Sequence, residues 1–129
     1  MLLRERLNRG ERFVPDVFGK AVIYLAERIT TADFEEKVLN ADIPVLVDFY
    51  SDTCVPCKML SPVLSQLDTE LAGKLNIYKV NVGYEQELVD KYEVQASPTL
   101  IFFRGGEEVS RLRGAVKKPD IIAEFEKIQ

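Results

Sequence analysis

From Leu25 onward the apolar residues alternate between a helical and a strand-like spacing. In LAERITTADFEEKVL, Thr30 and Asp33 stand three apart, as in a helix-capping pair, and Ile29 and Phe34 take the two positions of a hydrophobic staple. This predicts a helix from about Thr31 to Asn40. PVLVDFY follows, apolar at nearly every position and rich in β-branched and aromatic residues, as a strand buried on both faces should be. Its one charged residue is Asp48. A second helix is predicted to begin near Cys54 and run through CKMLSPVLSQLDTELAG. Leu60, Leu64, Leu67 and Leu71 form its apolar stripe, Gly73 is placed for a left-handed cap, and Pro62 is placed to kink it. LNIYKVNV reads as a strand and EQELVDKYEV as a short helix. PTLIFFRGGEEVSRLRG reads as two strands turning at Gly105-Gly106. KPDIIAEFEKIQ closes with a helix that has Pro119 in its first turn and Ile121, Ile122, Phe125 and Ile128 on one face. The order β-α-β-α-β-α-β-β-α requires parallel crossovers and one hairpin, hence an α/β protein with a mixed sheet flanked by helices.

The first two dozen residues break this rhythm, with mixed Arg and Glu and then FVPDVFGK, where Pro15 and Gly19 interrupt any periodicity. Residues 1–24 are read as an appended segment of uncertain order and residues 25–129 as the domain. Leu2, Leu3 and Leu7 with Val17, Phe18 and Val22 offer an apolar set that could dock on the domain or a partner; an ordinary frayed tail is the competing reading.

Composition narrows the function. A chain of 129 residues, 47% hydrophobic and 29% charged, fits one globular domain. Its net charge of −4 provides no broad positive field for nucleic acid or an anionic membrane. MLLRERLNRGER is followed by no apolar signal core, and no apolar run approaches the roughly eighteen residues of a spanning helix. With 2 cysteines and no wide disulfide framework, a reducing, cytoplasmic setting is expected.

Both cysteines lie in YSDTCVPCKML. At the opening of a helix, Cys54 would meet unpaired backbone N–H groups and the positive end of the helix dipole, which favour a thiolate. Cys57, one turn on, is placed to attack a mixed disulfide formed at Cys54. Pro56 suits a first turn that has no use for its N–H. Redox chemistry competes with three plainer readings. A structural disulfide over so short a loop would restrict the unfolded chain little. A zinc site would need ligands beyond a chain with 2 cysteines and 0 histidines. The third reading is a pair of inert buried thiols.

VLVDFYSDTCVPCKMLSPVLSQL resembles the thioredoxin family, in which a buried strand carrying an aspartate leads into a Cys-x-Pro-Cys helix, and ASPTLIFFRGG is similar to that family's cis-proline strand and hairpin. The likeness covers about Leu25 to Gln129. It implies the thioredoxin-like fold, with helices on both faces of the sheet, and dithiol–disulfide exchange with no cofactor beyond a redox-active Cys54–Cys57 disulfide and no metal. It further implies Cys54 as nucleophile, Cys57 as resolving thiol, Asp48 as buried proton-transfer carboxylate and Lys79 as its neighbour. Pro98 would be the cis-proline, and Gly114, with Ala115 beside it, would line the substrate groove. The implied partners are disulfide-bonded client proteins and a thioredoxin reductase or equivalent donor, with no nucleic acid or membrane, and the protein is expected to be a monomer.

Three positions depart from the family pattern: Thr53 stands where tryptophan is usual, Val55 where glycine is usual, and Ser97 where an apolar residue often precedes the cis-proline. With Pro56 they lie on the expected substrate surface. The leading expectation is a protein-disulfide reductase. The alternatives are a binding or chaperone module with little redox activity, and an oxidase or isomerase of the same superfamily.

Overall fold

The computed structural model describes residues 12–15 and 21–24 as backbone and residues 26–129 in full. Strands β1 (Arg12–Pro15) and β2 (Ala21–Tyr24) pair antiparallel in a sheet of their own, with Pro15 opposite Ala21. In the segment read from the sequence as of uncertain order, Pro15 thus closes a strand. Both strands of such a ribbon are edges, where a proline's missing N–H is tolerated. The apolar set from Leu2 to Val22 lies outside the described side chains.

β3 (Glu27–Arg28) leads into helix α1, whose regular turn Thr31–Phe34 widens to a π-helical Glu35–Leu39, with the Asn40 N–H donating to the Glu35 carbonyl at 2.9 Å. The cap is formed as the spacing predicts: the Thr30 N–H donates to Asp33 Oδ2 at 3.1 Å. The staple residues Ile29 and Phe34 are both buried.

Then follow β4 (Val45–Tyr50), α2 (Val55–Glu70), β5 (Asn76–Asn81), α3 (Gln86–Lys91), β6 (Thr99–Arg104), β7 (Glu107–Arg113) and α4 (Lys118–Ile128). Helix α2 continues through Pro62. The main sheet has the order β3-β5-β4-β6-β7, with β3, β5 and β4 parallel and β6 and β7 antiparallel to their neighbours. The β6–β7 turn has φ of +62° at Gly105 and +82° at Gly106, the two successive positive values that a tight hairpin needs.

All six residues of β4 are buried, as a central strand's should be. Val45, Val47 and Phe49 point into a core that includes Phe34 and Val38 of α1, Leu88 of α3, and Ile101 and Phe103 of β6. On the other face Leu46 joins Leu60, Leu64 and Leu67 of α2 with Ile121 and Phe125 of α4. The sheet therefore lies between two helical layers, and the alternation along β4 places Asp48 on the α2 side.

Candidate active site

Asp48 follows Leu46 by two residues and so points toward α2, where it is 0% exposed. Among the described residues neither carboxylate oxygen has a hydrogen-bond partner. Burial pushes its pKa up to about 7, against a smaller downward pull from the Lys79 ammonium. Lys79 stands opposite Asp48 in the β4–β5 register, so both side chains leave the same face of the sheet. Its Nζ donates to Ser61 Oγ at 3.2 Å and lies 4.5 Å from the Tyr50 ring centroid.

β4 delivers the chain, through Ser51–Thr53, to the N-terminus of α2. Cys54 is the N-cap and Pro56 lies within the first turn. Cys54 and Cys57 are joined as a disulfide with their Cα atoms 5.2 Å apart. The two sulfurs differ in surroundings. Cys54 is half-buried, and its Sγ accepts the Cys57 N–H at 3.1 Å and lies 3.5 Å from the Ser97 carbonyl oxygen. Cys57 is 3% exposed. The Cys57 N–H and the positive end of the α2 dipole both lie at Cys54 Sγ, an arrangement that favours negative charge on this sulfur.

The Ser97–Pro98 peptide is cis. Pro98 is buried at the start of β6, and its carbonyl accepts the Gly114 N–H at 2.9 Å, which binds the loop after β7 to the cis-proline. Ala115 is exposed beside it. A cavity of about 730 Å³ opens next to Cys54, and Thr53, Val55, Pro56 and Ser97 line it. Its other wall was missed from the sequence: Gln86 and Val89 of α3, with Val94, Gln95 and Ala96 of the following loop. Val55 is 64% exposed and Met59 72%, which puts apolar surface around the dithiol. Ser61 was missed as well, although it was visible as the one polar residue in the stripe Cys57, Leu60, Ser61, Leu64, Leu67.

Among the described residues no group of three or more His, Cys, Asp or Glu is placed to hold a metal ion, and no helix is long and apolar enough to cross a membrane.

The thioredoxin family model matches residues 26–127. Similar curated proteins include Thioredoxin 1 of Nostoc sp., 36% identical over 102 residues that make up 79% of this chain and 95% of that protein. The thioredoxin of Haemophilus influenzae is 43% identical over 93 residues, 72% of this chain and 87% of the relative. That of Pseudomonas aeruginosa is 41% identical over 95 residues, 74% and 88% of the two chains.

Proposed function

The chain belongs to the thioredoxin family and is a thiol–disulfide oxidoreductase, and on that footing we propose that it reduces the disulfides of client proteins in a reducing, cytoplasmic compartment, with Cys54 as attacking and Cys57 as resolving thiol. The observation that carries this reading is the asymmetry of the pair: a half-exposed sulfur at the helix N-terminus, beside a substrate-sized cavity, bonded to a buried one.

The cycle begins with the reduced dithiol. The Cys54 thiolate attacks one sulfur of the client disulfide, forming a mixed disulfide and expelling the other client sulfur as a thiolate that takes a proton from water. The Asp48 carboxylate accepts the Cys57 proton, with Lys79 moderating its charge, and the Cys57 thiolate attacks Cys54 Sγ. The mixed disulfide breaks, the second client sulfur leaves as a thiolate that takes a proton from water, Asp48 gives up its proton to solvent, and the protein is left as the Cys54–Cys57 disulfide. Two electrons have passed to the client, and a thioredoxin reductase or equivalent dithiol donor restores them. Thr53, Val55, Pro56 and Ser97 contact the client beside Cys54. The peptide groups around Pro98, Gly114 and Ala115 take its extended backbone, as an open strand edge takes a further strand. Residues 25–129 act in this as one domain, to which residues 1–24 are an extension, and the protein works as a monomer.

The test is reduction of a disulfide-bonded protein such as insulin, with the protein pre-reduced and excess reductant removed. Cys54→Ser is expected to be inert, and Cys57→Ser to stall as a mixed disulfide through Cys54, detected by mass. Full stoichiometric reduction by Cys57→Ser, at the wild-type rate and with no mixed disulfide, would remove the resolving role, and a wild-type dithiol that reduces no insulin would leave a binding module as the better account.

A further inference from the structure

We propose that Ser61 is a positioning residue of the dithiol site: its hydroxyl, together with the Tyr50 ring, holds the Lys79 ammonium in the cavity that opens onto Cys57. The inference rests on the reading of Asp48 as the group that takes the Cys57 proton.

Ser61 follows Cys57 by four residues on the sheet-facing side of α2, so its hydroxyl and the buried sulfur occupy the same strip of helix. The Leu60, Leu64 and Leu67 side chains around it are buried apolar groups, whereas Ser61 Oγ accepts a hydrogen bond from Lys79 Nζ at 3.2 Å. The Tyr50 ring, 4.5 Å from the same nitrogen, holds it from the β4 side. Two contacts from two elements thus hold the end of this long side chain. Tyr50, Cys57, Ser61 and Lys79 line one cavity of about 420 Å³, roomy enough for water.

Where the ammonium sits matters because Asp48, opposite Lys79 in the sheet, has no hydrogen bond among the described residues to stabilise its charged form. Lys79 is the charge that opposes the effect of burial on it, and Coulomb attraction weakens with distance. The other charged groups are less direct. Asp52 at the cavity rim accepts a hydrogen bond from Asn81 Nδ2 at 3.1 Å, Lys58 of α2 is exposed, and Arg28 of β3 lies 5.5 Å from the Tyr50 ring centroid. From β6, Asp48 faces apolar Leu100.

The experiment compares the parent with Ser61→Ala, which removes only the hydroxyl and favours the helix, and Ser61→Thr, which keeps a hydroxyl. Asp48 is titrated by carboxyl ¹³C NMR in the disulfide form, and the pH profile of insulin reduction is measured with the dithiol form. In Ser61→Ala the ammonium is expected to lose its α2 contact and to shift away from Asp48. Asp48 is expected to titrate about half a pH unit or more higher, and the acid limb of the rate profile to move the same way. Ser61→Thr is expected to restore both. An Asp48 titration in Ser61→Ala that superposes on the parent's, or moves to lower pH, overturns the proposal. A titration that moves up while the rate profile stays in place upholds the positioning role and refutes Asp48 as the proton acceptor.

Discussion

Replacing Asp48 with Asn should make the protein more stable, and by an amount that depends on pH. The carboxyl is 0% exposed and its folded-state pKa is about 7, raised by burial from the ordinary aspartate value of 3.8. A raised acid pKa means that the folded chain keeps a proton which the unfolded chain releases, so the stability present below about pH 4 is lost as pH rises toward 7 and stays lost above it. The difference, 7 − 3.8, is about 3 units, and at 1.36 kcal/mol per unit this is roughly 4 kcal/mol. Asn has nearly the same shape and does not titrate. Urea unfolding of both proteins, in the disulfide form so that the thiols do not contribute, would give the difference in unfolding free energy at each pH. A constant offset from burying an amide is expected at all pH values. Above that offset, the advantage of Asp48→Asn should grow from near zero at pH 3.5 to roughly 4 kcal/mol at pH 8. A difference that stays within about 1 kcal/mol over that range would show that Asp48 is not held in a dry site and would refute the reasoning.

Two further predictions concern the scaffold that holds the site. Leu64, 0% exposed between α2 and the sheet, is expected to cost about 2–5 kcal/mol on replacement by Ala, read as a lower urea midpoint with an unchanged slope. In the β6–β7 turn, Gly105 and Gly106 both have positive φ, but only at Gly106 would an added Cβ meet backbone, 3.0 Å from the Leu39 carbonyl oxygen. Gly106→Ala should therefore lower the thermal midpoint more than Gly105→Ala, which should cost only the left-handed penalty of about 1–2 kcal/mol.

The sequence discloses what is local, and the site is local only in part. Cys54, Pro56 and Cys57 share one helical turn, and Thr53, Val55 and Ser97 adjoin residues that the family pattern marks, so each could be named before the fold was known. Strand β3, two residues long, and the π-helical turn of α1 leave no periodicity to read. The cavity wall from Gln86 to Ala96 depends on how the fold brings α3 and the loop after it, from the opposite face of the sheet, to the start of α2, some thirty residues away in sequence. The Lys79 environment shows the limit most sharply. Alternation along β4 shows that Leu46, Asp48 and Tyr50 share a face, but not which helix covers it. The register that sets Lys79 opposite Asp48 arises only when β5 docks in parallel after the α2 crossover, and only then does the hydroxyl of Ser61 come within reach of the ammonium. A serine in a leucine stripe is a weak signal by itself. It acquires meaning because three elements, β4, β5 and α2, bring a ring, an ammonium and a hydroxyl to one cavity beside the buried sulfur.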